Sequence, residues 1–206
     1  MLDLLKYEKE LYKNNIQFIA GVDEVGRGPL VGPVVAACVV LPKNYRLDGL
    51  TDSKKLSEKK RNNFYEIIMK EALGVGIGVV EPEIIDKINI YQASKLAMIK
   101  AINNVNCKIE HVLVDAMPLE LEIPSTSIIH GDALSISIAA ASVIAKVTRD
   151  NMMYELDKKH PEYGFSKHKG YPTKEHLENI KKYGILDNYR KSYKPVKQIL
   201  EGVSCE

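Results

Sequence analysis

Cysteine is scarce in this chain. Cys38, Cys107 and Cys205 are odd in number and far apart. They suggest neither a disulfide framework nor a thiolate metal knuckle, and a reducing cytosol is expected. The five histidines show no HExxH or comparable zinc spacing. No apolar run reaches the roughly 18 residues that a membrane span needs, and the opening MLDLLKYEKELYK is charged rather than built like a signal peptide. Internal repeats and low-complexity tracts are missing too. What is left is ordinary globular material: 206 residues, 45% hydrophobic and 27% charged, with room for one good core.

The net charge of +2 hides an asymmetry. Lys146 to Lys197 carries 13 Lys/Arg against 7 Asp/Glu, and six of the 11 tyrosines fall there. A solvated helical face accounts for such a run; basic residues interleaved with aromatics equally suit a nucleic-acid backbone.

Along the chain, residues 17–24 (QFIAGVDE) read as a buried strand and 34–41 (VVAACVVL) as a second, β-branched and apolar throughout. LTDSKKL is loop-like, and Ser57 is placed to cap a helix running to about Ala72. Residues 73–80 form a glycine-interrupted strand, followed by helical material from Pro82 to Asn104. Residues 111–115 (HVLVD) form another buried strand, with a short strand near Ser127–His130. A long helix is expected from Ala133 to about Lys159, with more helix at 173–183 and around 196–200. This mixture predicts an α/β sheet with helices on its faces and a basic C-terminal helical portion.

Asp23, Glu24 and Asp115 stand at the ends of apolar strands, and Asp132 at a helix start. An ionised carboxylate in such a place is costly unless it is paired or coordinates a metal. Several converging carboxylates repel, and a hard divalent cation such as Mg²⁺ resolves the conflict. Each acid also has a plainer reading: Asp132 as an N-cap, Asp115 as a solvent-facing strand end, Glu24 on the far side of the pleat from Asp23. Asp23 and Glu24 serve one site only if the pleat breaks there, which Gly26 and Gly28 permit. The small residues opening ALSISIAAASVIAKVTRD let that helix sit tight against the sheet and bring Asp132 toward the strand ends. Core packing alone explains them as well. Lys146 and Arg149 lie too far along it to touch the same metal.

At this point the chain resembles the type 2 ribonucleases H, the ribonuclease HII family. The likeness rests on GVDEVGRGPLVGPVVAA, LTDSKKLS, VLVDA, GDALSISIAAASVIAKVTRD and YGFSKHKGYPT, in family order from about residue 17 to 176. It implies an α/β fold with a ribonuclease H-like mixed sheet flanked by helices and a C-terminal helical portion. A single catalytic domain over 1–206 is expected, with the core at about 17–159 and the basic helical portion at about 160–206. The implied activity is cleavage of the RNA strand of RNA–DNA hybrids and nicking of duplex DNA beside an embedded ribonucleotide.

The resemblance puts the family's four acidic metal ligands on Asp23, Glu24, Asp115 and Asp132, its GRG motif on Gly26, Arg27 and Gly28, and its junction-sensing tyrosine on Tyr171. The cofactor it implies is Mg²⁺ or Mn²⁺, as two ions. Two such ions activate a water and stabilise a leaving 3′-oxygen, and a bared glycine backbone suits inspection of the 2′-hydroxyl that distinguishes RNA. Without the family, Tyr171 reads as a loop-anchoring aromatic. Lys54, Lys146, Arg149, Lys167, His168 and Lys169 are candidate phosphate contacts, and Ser53 either meets a phosphate or stabilises its turn. The expected partners are RNA–DNA hybrid and ribonucleotide-containing duplex DNA, with no membrane, for a monomeric cytoplasmic protein. A non-catalytic hybrid-binding module and another metal-dependent phosphotransferase or integrase remain as competing readings.

Overall fold

The computed structural model describes residues 4–202; Cys205 and the end of the tail lie outside the described residues. Strands β1 (Ile19–Val25), β2 (Val34–Val40), β3 (Gly74–Val80), β4 (His111–Asp115) and β5 (Ser125–Ile128) form one sheet in the order β3-β2-β1-β4-β5. The β3–β2 and β2–β1 pairs are antiparallel, and β1–β4 and β4–β5 are parallel. All seven residues of β2 are buried, as an unbroken β-branched run covered on both faces requires. The short strand begins and ends two residues earlier than its sequence suggests.

The helices are α1 (Lys6–Lys13), α2 (Glu58–Glu71), α3 (Pro82–Asn103), α4 (Ile136–Lys159), α5 (Phe165–His168), α6 (Lys174–Tyr183) and α7 (Lys194–Leu200). Alternation along the strands sends Ala20, Val22, Ala36 and Val114 into a core with Ala97 and Met98 of α3. Ala37 and Val39 face the other way, toward Phe64 and Ile68 of α2 and Ala140 and Ile144 of α4. Ile144 is fully buried, so truncating it to alanine costs roughly 2–5 kcal/mol. Ser57 caps α2 as expected, accepting from the Lys60 N–H. Helix α3 is broken at Asn89 (φ 66°, ψ 165°), whose side chain accepts the N–H groups of Tyr91 and Gln92 and so caps the second segment.

Helix α4 starts later than its sequence suggests. Gly131–Ala133 form a 3-10 turn, and Ser135 is the cap, accepting from the Ile138 N–H at 3.2 Å. The start of α4 presses backbone to backbone on β1: a Cβ on Gly21 would lie 2.0 Å from the carbonyl carbon of Ser137. Helix α1, which sequence periodicity left unassigned, delivers Glu8 to the same place. Its buried carboxylate accepts from the Ser135 hydroxyl at 2.6 Å and the Ser137 N–H at 3.1 Å, a negative charge on the positive end of a helix.

The C-terminal helices do not pack only among themselves. Tyr163, Phe165, Ile180, Tyr189 and Val196 share a cluster with Leu30 and Val31 from the loop between β1 and β2, and with Met153 of α4. The basic segment is thereby tied to the glycine-rich loop.

Candidate active site

The parallel register of β1 and β4 runs from Ile19↔His111 to Val22↔Val114, so one step further places Asp23 beside Asp115 at the strand ends. Both fall on the face that α4 covers. The tight seating of α4 on Gly21 brings the preceding turn, with Asp132, to the same corner. Asp23 and Asp132 are buried, 6% and 7% exposed. Asp115 Oδ1 accepts the Gly131 N–H at 2.7 Å, which links the end of β4 to the Asp132 turn.

Glu24 reaches this corner differently from the sequence expectation. The β1–β2 ladder continues without interruption through Asp23↔Ala37, Glu24↔Ala36 and Val25↔Val35. The pleat therefore does not break between the two acids; the chain leaves the ladder at Gly26 (φ 97°). Glu24 still feels Asp115, and its side chain lies 3.6 Å from Arg27 Nη1.

The electrostatics tie these groups into one cluster. Burial, then the charges of Glu24 and Asp115, push the Asp23 carboxyl well above the usual range. Burial, against the pull of Arg27 and with the push of Asp115, raises Glu24 to about 7. Asp132 is raised by burial and by Asp52 and Asp115, with Lys54 opposing. Burial lowers Lys54, yet Asp23, Asp52, Asp132 and Asp115 together carry it upward, and its ammonium stands 4.0 Å from Asp132. Asp52 is a further carboxylate at this corner that sequence reasoning passed over; its local signal is an Asp capping a turn, as the Lys54 N–H bond to its Oδ1 at 2.9 Å shows.

Among the described residues, no three His, Cys, Asp or Glu side chains are already drawn together as a metal cage. An all-oxygen donor set with unrelieved negative charge fits a hard divalent ion such as Mg²⁺ or Mn²⁺.

Beside the acids, Gly26-Arg27-Gly28 forms a turn with no room for a side chain at Gly26 (φ 97°) and with Tyr171 close over Gly28. A Cβ on Gly26 would sit 2.3 Å from Arg149 Nε, and one on Gly28 would sit 3.2 Å from Cε1 of Tyr171. The Tyr171 ring, 44% exposed, thus lies across Gly28. The two elements are also joined through backbone, Leu30 N–H donating to the Gly170 carbonyl at 2.8 Å.

The candidate phosphate contacts sort sharply. Lys54 and Lys167 hold exposed side chains, 76% and 71%. Lys146 is spent on Asp150 at 2.6 Å. Lys169 lies over the Tyr154 ring at 3.9 Å and bonds the Ser166 carbonyl. Arg149 departs outright from the expectation. It is fully buried, and its guanidinium donates to the carbonyls of Pro33, Lys169 and Val31 at 3.0–3.2 Å. Burial and the neighbouring charge of Arg190 lower it to about 10. His168 is likewise enclosed, bonded to the Tyr163 carbonyl and the Gly170 N–H and stacked on His176 at 4.2 Å. Ser53 is 3% exposed, its hydroxyl 2.7 Å from that of Ser142. These three support the site from inside.

Sequence reasoning missed two such supports. Arg190 is fully buried under the glycine turn, and His176 Nδ1 lies 2.8 Å from the Tyr171 carbonyl. Neither has a local sequence signal: a basic residue in a basic run reads as surface.

Comparison with known proteins agrees with this architecture. The family profile for ribonuclease HII matches residues 20–196. A ribonuclease HII of Bacillus cereus (strain B4264) is 57% identical over 199 residues, spanning 97% of this chain and 77% of that protein. The crystal structure of the ribonuclease H2 from Pyrococcus horikoshii OT3 superposes with a TM-score of 0.77 at 28% identity, covering 90% of this chain and 98% of that one. Bst-RNase HIII, solved in complex with Mn²⁺, shares the fold at 17% identity and a TM-score of 0.69, over 90% of this chain and 70% of its own. Carried by a match along nearly its whole length, the chain belongs to the ribonuclease HII family, hydrolases that cleave the RNA of RNA–DNA hybrids.

Proposed function

We propose that the protein cleaves the phosphodiester on the 5′ side of a ribonucleotide, both within RNA–DNA hybrids and at single ribonucleotides embedded in duplex DNA. The products are 5′-phosphate and 3′-hydroxyl ends. Asp23, Glu24, Asp115 and Asp132 hold two divalent ions, Mg²⁺ or Mn²⁺; the Mn²⁺ complex of Bst-RNase HIII supports a divalent ion in this fold. When bound, the ions activate the attacking water and stabilise the leaving 3′-oxygen.

The observation that carries this reading is the adjacency of the acidic corner to a bared glycine turn overlaid by an exposed tyrosine ring. Asp23 and Glu24, raised by burial and then by neighbouring carboxylate charge, would give up protons on binding a cation. Gly26-Arg27-Gly28 lets a sugar come close enough for its 2′-hydroxyl to be read by backbone groups. The Tyr171 ring packs on the next sugar and favours one without a 2′-oxygen. Lys54 and Lys167 position phosphates without reading sequence. Among the described residues no helix is long and apolar enough to cross a membrane.

The test is a short DNA duplex carrying one ribonucleotide, incubated with and without Mg²⁺ or Mn²⁺. A metal-dependent nick on the 5′ side of that ribonucleotide is expected. Binding without scission in either metal would favour a non-catalytic hybrid-binding module. Equal cutting of an all-DNA duplex would favour a different phosphotransferase.

A further inference from the structure

Two guanidiniums lie fully buried beneath the glycine-rich loop, and among the described residues neither has a carboxylate within ion-pair distance. A buried cation without an anionic partner is costly and persists only where its donors are satisfied. Here they are satisfied by main-chain carbonyls. Arg190 Nη2 donates to Gly26 at 2.6 Å and to Gly32 at 2.8 Å, Nε donates to Gly32 at 3.0 Å, and Nη1 donates to Arg27 at 3.0 Å. The Tyr193 hydroxyl accepts from Nη1 at 2.9 Å and donates to the Arg27 carbonyl at 2.6 Å. Arg149 grips the other half, bonding Val31 and Pro33 on the loop and Lys169, two residues before Tyr171.

A trans peptide is a rigid plane with its C=O and N–H on opposite sides. Holding the carbonyls of Gly26 and Arg27 inward therefore turns the N–H groups of Arg27 and Gly28 away from Arg190, as donors in fixed orientation. Because Arg149 reaches Lys169 while Arg190 holds the turn, the distance from the turn to the Tyr171 ring is set by the same buried pair.

We infer that Arg190, with Tyr193 as its hydroxyl partner, is a positioning residue that aligns the Gly26–Gly28 turn with Tyr171 so that two successive sugars are read in register. This rests on the proposed reading of those two elements. Register matters most where a single ribonucleotide is followed by deoxyribose, since both readings must succeed at one step. In a continuous RNA strand every step offers a 2′-hydroxyl, and only the first reading is needed.

The experiment measures kcat and KM of the full chain, Arg190→Lys and Tyr193→Phe on two duplexes, one with a single embedded ribonucleotide and one with a continuous RNA strand. Melting temperature and Mn²⁺ affinity are recorded for each. Arg190→Lys keeps the charge but cannot span three carbonyls, and Tyr193→Phe removes one hydroxyl from a partly exposed ring. The expected result is a fall in the ratio of single-ribonucleotide to hybrid kcat/KM by about tenfold for Arg190→Lys, less than the roughly hundredfold that a full 1 Å misplacement can cost. A smaller fall is expected for Tyr193→Phe, with Mn²⁺ affinity unchanged in both. A ratio equal to the parent's overturns the inference, whether both rates persist or both fall in parallel with melting temperature. Should Arg190→Lys not fold, Tyr193→Phe alone decides. Failure of the parent to nick the single-ribonucleotide duplex would instead overturn the proposed function.

Discussion

Two regions a few residues apart in sequence are built on opposite electrostatic plans. In the acidic corner, Asp23, Glu24, Asp115 and Asp132 lie together with Lys54 and Arg27 as nearby counter-charges, and three of them are pushed up toward protonation. Under the glycine turn, Arg149 and Arg190 are as deeply buried, yet their donors are consumed by carbonyls of the loops they hold. The first region keeps carboxylates close together with little compensation, as the proposed cation site requires; the second has its donors satisfied by the protein's own carbonyls. The lesson is that a site for a mobile ion and a site that inspects shape need contrary solutions to charge burial.

The contrast breaks most visibly at Asp115. Asp115→Asn keeps an oxygen for the Gly131 N–H but removes a charge, and cleavage should fall by on the order of a thousandfold or more, several kcal/mol of transition-state stabilisation. Duplex binding should survive. In metal-free solution the same variant should be more stable than the parent by about 1 kcal/mol, since repulsion is relieved. Unchanged turnover would remove Asp115 from the mechanism.

Acid sharpens the contrast, because the two regions respond with opposite sign. Carboxylates raised in the folded state favour folding as pH falls below their elevated values and cost stability as pH rises through them; for Glu24 that rise is to about 7. His176 is lowered from 6.5 to about 4, by burial first and with His168 adding to it. It stays neutral between the Tyr171 carbonyl and the Tyr189 hydroxyl. Its contribution is complete above pH 6.5 and is lost as pH falls toward 4, on the order of 3 kcal/mol over that window. Denaturant unfolding from pH 7 to pH 4 should therefore show a shallower loss in His176→Gln than in the parent; equal slopes would contradict the assignment.

The smallest effect belongs to the surface. Lys167, exposed and paired with exposed Glu175 at 3.1 Å, should on replacement by Ala reduce the salt dependence of duplex binding by about one unit of slope. Melting temperature should not move.

That Asp23, Asp115 and Asp132 gather at one corner was foreshadowed by charges ending apolar strands; the GRG motif came from family likeness, and the pleat break expected of its glycines does not occur between Asp23 and Glu24. Tyr171 came from family likeness alone. Arg190 and His176 were invisible, and Arg149 was misassigned to phosphate. The sequence code for a buried cation bonded to carbonyls is identical to that for a solvated one, since the partners are main-chain atoms with no residue identity. The start of α4 was misplaced for a related reason. Gly-Asp before a helix and the Ser135 cap are both acceptable N-termini, and the Glu8 carboxylate that settles the choice comes from 127 residues away. The fold class followed from periodicity, but the anchoring of the C-terminal helices on Leu30 and Val31 required the packed structure.

The central claim is that the four carboxylates form one divalent-ion site, and that Asp23, Glu24 and Asp132 are pushed toward protonation without the ions. Calorimetric titration of the parent with Mn²⁺ near pH 7, in buffers of different ionisation enthalpy, reads binding and proton release together. Saturable binding with release of up to about one proton is expected, the release vanishing at higher pH and the affinity collapsing in Asp115→Asn. Binding that releases no protons and is indifferent to Asp115 would contradict the account.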